Sequence, residues 1–361
     1  MMGIIAGLLG GFSAILFIHC IRWAQVFRET HPSLILTLPL SGVFIRYLYS
    51  RFGKGFFEAP TLTISVFLSH LGGASTGREG AVIHLSRILS VSLGRFLNFQ
   101  ERKTKRLIIA SIGSGFGAAL GAPLAGLVFG FEENRHPFFR LKTLLHSLVA
   151  VLVAQGCVHF SGVTHFQIPS FDIPEYGFIP FSFIFILGVL LGLIAVVYHF
   201  LKKYFELLFS YLKPWQAGLI GGSLLFLIYQ SQLISADFQG LGTQSMIEAS
   251  QQMVSSSMTW KKMLVTVISL GSGFQGGEFF PLAFLGSTFG SAFSLISPVM
   301  VSLFASIGMV AVYGAATQTP IACTILAAEL FGWKMIPYAF IAVIIASRVH
   351  FRFTSKSDLD S

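Results

Sequence analysis

Long runs almost free of charge recur along this chain, at residues 3–21, 179–197, 216–234 and 335–347. A helix needs roughly 20 apolar residues to cross the hydrocarbon core of a bilayer, and fewer when it crosses only part of it. One such run fits a buried core helix of a soluble protein, but the whole set does not. The 38 phenylalanines outnumber the 24 lysines and arginines together, so a soluble fold of this length would lack the polar surface to cover itself. The pattern predicts an all-α polytopic membrane protein, integral and multi-pass, in a cell membrane or bacterial inner membrane. No basic segment precedes residues 3–21 and no small-residue cleavage site follows them before Arg22. That run is therefore read as a retained helix.

The net charge of +9 is scattered over apparent segment ends, at Arg22, Arg28, Arg51, Lys54, Lys202, Lys203, Lys261 and Lys262, with one denser group, "ERKTKR", at 101–106. Cations beside apolar helices suit the membrane–water boundary and give no nucleic-acid face. They fall at both kinds of loop, so the sequence leaves the orientation open. Cys20, Cys157 and Cys323 are isolated in apolar stretches and read as small core residues. The chain has no phosphate-binding loop, no metal-ligand spacing, and neither the paired acids nor the serine–histidine set of an enzyme. No cofactor and no catalysis are expected.

Two distant segments share a pattern. With Pro123 set against Pro320, Gly117-Ala118-Ala119 falls on Gly314-Ala315-Ala316, Ala125 on Ala322, and Glu132 on Glu329. Upstream, "GREGA" at 77–81 lies opposite "GGEFF" at 276–280, with Glu79 matching Glu278. Each half runs through a glycine–glutamate turn, a helix, a G-A-A-x-x-x-P helix and a terminal glutamate. The ordered set predicts an internal duplication, with a first transmembrane repeat at 1–175 and a second at 176–361 in one membrane domain. The boundary lies in "PSFDIPEYGFIP". Duplicated halves are common in transporters, whose sites lie near the midplane where helices break.

The two turns carry the chemistry. Glycines at 77, 80 and 277 let the backbone turn and approach closely. The first N–H groups of the helix that follows lack intrahelical partners, and that end is positive. Pro281 suits a first helical turn. Each turn is a prepared anion site. Glu79, beside Arg78, can occupy the anion position or withdraw when protonated, which makes it a gate; the plainer alternative is a structural cap paired with Arg78. Glu278 has no basic neighbour in sequence and reads as a second protonatable group. Glu132 and Glu329 end the G-A-A helices, where acids oppose the dipole and call for a local partner. Glu132 and Glu133 are also candidates for a proton path. His70 and His84 bracket the first turn, as core residues or as neighbours tuning Glu79.

"GREGA" resembles the G-K/R-E-G-P signature of the CLC family of chloride channels and proton-coupled anion antiporters, and "GGEFFP" resembles that family's G-x-F-x-P signature. Order and spacing match from about Gly10 to Arg348. The resemblance implies two inverted repeats with broken helices meeting at the midplane, and a homodimer in the bilayer with one pore per subunit. It implies Glu79 as the gate, and anion contacts from Gly77, Arg78, Gly80, Gly277, Phe279 and Phe280. Glu278 inside the second signature, with "FGKG" at 52–55 and "VHFSGVTH" at 158–165, looks like the fluoride/proton antiporter branch, whereas Glu133 falls where chloride/proton members carry an internal glutamate. Chloride or fluoride, with protons, are the implied partners. The chain departs from the family in two places. "GKG" at 53–55 runs into "FFEAPTLTISVFL" without the first pore loop, and the last stretch, 347–361, has no tyrosine. No C-terminal regulatory domain is expected. The expected function is proton-coupled anion antiport; the alternatives are a passive anion channel or a shortened, transport-impaired relative serving as a membrane scaffold.

Overall fold

The computed structural model describes residues 1–136, 140–297 and 301–354. The described residues form fifteen α-helices joined by short turns. The first seven are α1 (Met2–Thr30), α2 (Leu38–Phe52), α3 (Glu58–Gly72), α4 (Glu79–Phe96), α5 (Glu101–Leu120), α6 (Pro123–Glu133) and α7 (Leu141–Phe160). An extended link leads to α8 (Phe178–Ser210), α9 (Pro214–Gln230), α10 (Thr243–Gln251) and α11 (Ser257–Gly271). The last four are α12 (Phe279–Phe293), α13 (Val301–Thr317), α14 (Pro320–Phe331) and α15 (Ile336–Phe353). Among the described residues, six segments are long and apolar enough to span a membrane, including Met2–Thr30, Phe178–Ser210 and Trp333–Phe353. An integral, multi-pass protein is the architecture these residues make.

Each G-A-A-x-x-x-P element is two helices rather than the single helix expected from its apolar pattern. In the first, α5 stops at Gly121, whose φ of 71° is left-handed, and α6 restarts with Pro123 in its first turn. In the second, Gln318 takes φ 57° at the corresponding place and α14 restarts at Pro320. The proline's missing N–H is harmless at a helix start and ends the previous helix. The breaks leave the starts of α6 and α14 exposed to each other's ends. Glu329 at the end of α14 accepts the Leu124 and Ala125 amides at 2.9 and 2.7 Å. Glu132 at the end of α6 accepts the Ile321 and Ala322 amides at 3.1 and 2.7 Å. Each acid therefore lies at the positive end of the other half's helix, which resolves the dipole conflict expected from sequence.

The charged ends sort by face. Arg95, the 101–106 cluster, Arg135, Arg140 and Lys142 lie where α4 and α6 end and α5 and α7 begin, and Arg87, midway along α4, shares a cavity wall with Lys105 and Arg135. The opposite face carries the 161–177 link, where Arg22 meets Thr164 at 3.0 Å and Tyr176 meets the Lys334 carbonyl at 3.1 Å. Three expected boundary cations are inside instead. Lys262 is fully buried and donates to the carbonyls of Phe238 and Gly240 at 2.8 and 2.7 Å. Arg28 is buried and donates to the His70 carbonyl at 2.6 Å. Lys202 lies within α8 rather than at its end.

Candidate functional site

The two glycine–glutamate turns meet. Gly77 N–H donates to the Gly277 carbonyl at 2.6 Å, and Gly277 N–H returns the bond at 2.5 Å. The starts of α4 and α12 are thereby held against each other. Only glycine allows the approach, because a Cβ on Gly80 would lie 2.6 Å from the Gly277 Cα. The Gly77 and Gly277 amides are thereby each engaged with the other residue's carbonyl. The first intrahelical bonds run from Val82 to Arg78 in α4 and from Leu282 to Glu278 in α12. The amides of Glu79, Gly80, Phe279 and Phe280 precede those bonds and form the electropositive ends of the two helices.

Glu79 is fully buried. Its Oε1 accepts from Arg78 Nε at 3.0 Å, and its Oε2 has no partner. The Arg78 guanidinium stands 5.2 Å from the centroid of the Phe280 ring, which Phe166 of the long link meets edge-on at 5.7 Å. His84 approaches Glu58 at 3.7 Å rather than Glu79, and the buried His70 ring pairs with the Val66 carbonyl at 2.9 Å. His70 is thus a core histidine with one ring nitrogen satisfied by its own helix.

Glu278 is not the unpaired acid its sequence neighbours suggest. Lys202 Nζ donates to its Oε1 at 2.5 Å and Tyr198 Oη to its Oε2 at 2.8 Å, both from α8. The pair faces a cavity of about 430 Å³ whose wall includes Gly80, Gly277, Phe279, Tyr313, Glu133 and Arg135. A second cavity of about 660 Å³ is lined by Arg87, Lys105 and Glu132 and shares Glu133, Arg135, Thr317 and Gln318 with the first. Glu133, with Arg87 at 4.0 Å, stands at the junction of the two. Glu132 lies beside it, but both its oxygens cap α14.

Three residues at this site escaped the sequence reading. Lys202 and Tyr198 are four apart on one face of α8, a legible spacing that the treatment of Lys202–Lys203 as a helix boundary concealed. Tyr313 was hidden in the G-A-A helix. Its ring meets Phe279 edge-on at 4.8 Å and lies over Phe116 and Phe129, which stack on each other at 3.9 Å. The described part of the last stretch, 347–354, has no tyrosine, and residues 355–361 lie outside the described residues; the tyrosine of α15, Tyr338, donates to the Pro174 and Glu175 carbonyls at 3.2 and 2.9 Å. The link between α2 and α3 is residues 53–57, holding one short turn, Gly55–Phe57, and no further pore helix.

The geometry is that of paired helix starts around buried carboxylates, and the comparison with known families agrees with it. The model of the voltage gated chloride channel family matches residues 49–350. This chain belongs to the CLC family. The chloride/fluoride channel protein of Pseudomonas syringae pv. tomato is 31% identical over 370 residues, covering 95% of this chain and 81% of the relative. Among solved structures, a CLC-type fluoride/proton antiporter superposes with a TM-score of 0.89 at 25% identity, over 98% of this chain and 95% of that one. A slow cyanobacterial Cl⁻/H⁺ antiporter superposes at 0.81 and 21% identity, over 98% and 93%, and shares the fold. The CLC architecture expected from the two signatures is the one observed.

Proposed function

We propose that the chain moves a small halide, fluoride or chloride, across the membrane in exchange for protons, as a homodimer with one pore per subunit. The observation that carries the reading is the buried Glu79 carboxylate at the start of α4, with one oxygen on Arg78 and the other unpartnered, directly across the glycine pair from α12. A carboxylate at a positive helix end occupies the place an anion would take. Protonation removes its charge and its hold on Arg78, so movement and protonation are linked. Gly80, Phe279 and Phe280 amides and Arg78 line the anion's place. Glu278 is the second protonatable group, and the paired cavities lead to it past Glu133. Of the two proton-path candidates, Glu133 is kept; Glu132 is engaged as a cap.

The two repeats, 1–175 and 176–361, each supply one turn and one capped helix. The face rich in arginine and lysine is cytoplasmic by the positive-inside rule, so the paired cavities open inward. Fluoride is favoured by the acid at 278 and by the similarity to a fluoride/proton antiporter of nearly the same span. The short link at 53–57 favours the transport-impaired scaffold as a second reading, and a passive channel is the third.

The test is efflux from proteoliposomes loaded with fluoride or chloride, with external pH recorded, for the native chain and Glu79→Gln. Coupled proton movement that disappears in the variant is the expected result, and the faster ion names the substrate. Efflux without pH change makes the protein a channel. Folded, dimeric protein passing neither ion makes it a scaffold.

A further inference from the structure

Lys202 has no role in the reading above, yet it makes the closest polar contact at Glu278. It stands one turn after Tyr198 and one turn before Glu206, so the three side chains share a face of α8. Tyr198 and Lys202 each hold one carboxylate oxygen of Glu278, at 2.8 and 2.5 Å. Glu206 stands 3.9 Å from the same ammonium. Tyr198 is 2% exposed, whereas the Glu206 side chain is 49% exposed. The ladder therefore runs from the interior toward water.

We propose that Lys202 is a positioning residue for Glu278: with Tyr198 it fixes the carboxylate at the start of α12, and it passes its ammonium to Glu206 when Glu278 takes a proton. The proposal rests on Glu278 being a protonatable group of the transport cycle. A neutral carboxylic acid no longer holds a cation, and an unpaired ammonium beside a protein cavity is unfavourable. The flexible four-carbon stem lets the head group swing, and a second carboxylate within reach gives it a seat without moving the helix. A purely structural ion pair needs no such second acid.

Other charged or titratable groups face Glu278 from each surrounding element. His199 of α8 is within electrostatic reach of it, Glu133 and Arg135 stand across the cavity, Tyr313 faces it from α13, and Arg78 with Glu79 lies across the glycine pair. Its carboxylate accepts hydrogen bonds from Tyr198 and Lys202.

The experiment compares Lys202→Met, Lys202→Arg and Glu206→Gln with the native chain in fluoride-loaded proteoliposomes over a series of pH values. Loss of a cation in contact with a carboxylate makes protonation easier, by roughly 1 to 2 pH units. Lys202→Met is expected to shift the pH midpoint of coupled flux upward by that amount, Lys202→Arg to stay near the native midpoint, and Glu206→Gln to slow flux several-fold without moving the midpoint. A second readout is the infrared carbonyl band of protonated Glu278, identified by its absence in Glu278→Gln; its pH of appearance should move with Lys202→Met. A native midpoint and an unmoved band in Lys202→Met overturn the proposal. If that variant does not assemble, Tyr198→Phe reads the same contact through a smaller shift, and no shift there is equally fatal. A native chain without coupled flux overturns the transport reading instead, while the infrared band still judges the contact.

Discussion

Replacing Glu132 by alanine separates its two readings, helix cap and proton carrier. Its oxygens accept the Ile321 and Ala322 amides at 3.1 and 2.7 Å, and the substitution orphans both. Ala322 is 1% exposed, so its amide has no water to turn to and the loss is about 1 to 2 kcal/mol. Ile321 is 46% exposed, so its amide recovers solvent and the loss there is a few tenths of a kcal/mol by the same reasoning. Removing a negative charge from the positive end of α14 adds about 0.5 kcal/mol. The total is about 2 to 3 kcal/mol, and Glu132→Gln, which keeps one acceptor, should lose about half of it.

A chain of this size melts roughly 1 to 2 °C lower per kcal/mol lost, extending the trend of smaller domains. Glu132→Ala is therefore expected to melt about 4 °C below the native protein in detergent, and Glu132→Gln about 2 °C below it. The assay is thermal unfolding by intrinsic fluorescence, paired with proteoliposome flux measured well below either transition. The number of protons moved per anion should equal the native value in both variants. An unchanged melting temperature with proton movement abolished would refute the cap and return Glu132 to the proton path. Glu329→Ala is the internal control, since it removes the matching pair of bonds at Leu124 and Ala125 and should melt lower by a similar amount.

The remaining predictions concern the turns and the buried cations. Gly80→Ala places a methyl 2.6 Å from the Gly277 Cα, against backbone that cannot move aside; it should abolish flux and reduce the yield of folded protein on size-exclusion chromatography. Lys262→Met leaves the Phe238 and Gly240 carbonyls without their donor, a loss of about 1 to 3 kcal/mol visible as a lower melting temperature with anion selectivity retained. Glu278→Gln keeps a partner for Tyr198 but takes from Lys202 the nearer of its two carboxylates; proton movement should stop, and a native proton-to-anion ratio in this variant would remove Glu278 from the coupling scheme.

The membrane class was legible because hydropathy acts over twenty residues at a time and no tertiary contact alters it. The turns were legible because Gly77, Glu79 and Gly80 stand in order with Gly277 and Glu278 in the other half. What escaped depended on contacts between distant elements. Glu278 and Lys202 are far apart in sequence, and only the packing of α12 against α8 makes them a pair. The reciprocal caps at Glu132 and Glu329 were half-legible: the dipole argument required a partner but could not supply one from the other repeat. The break at Gly121 was masked because the apolar pattern continues through it, whereas Thr317-Gln318-Thr319 interrupts the pattern at the second break; in both, the proline two residues on was the signal of a restart. Orientation was invisible for a related reason. The basic residues sort by face only after α5, α6 and α7 are placed side by side.

The duplicated scaffold makes its contacts twice, the caps at α6 and α14 and the two bonds between Gly77 and Gly277, so its asymmetry must lie in the acids it presents. Glu79 takes its cation from the adjacent residue, and the pair is sealed, with the carboxylate fully buried. Glu278 takes its cation from another helix, and its side chain remains 31% exposed on a cavity that continues past Glu133. On the proposed reading, a proton entering from the basic face meets Glu278 before Glu79, and the neutralised acid releases Lys202 on the same side. For that proton to reach Glu79, it must pass the glycine pair, where Gly80 and Gly277 leave no room for a side chain. On the proposed reading, the two acids on either side of that backbone contact are the groups whose protonation states the transport cycle exchanges.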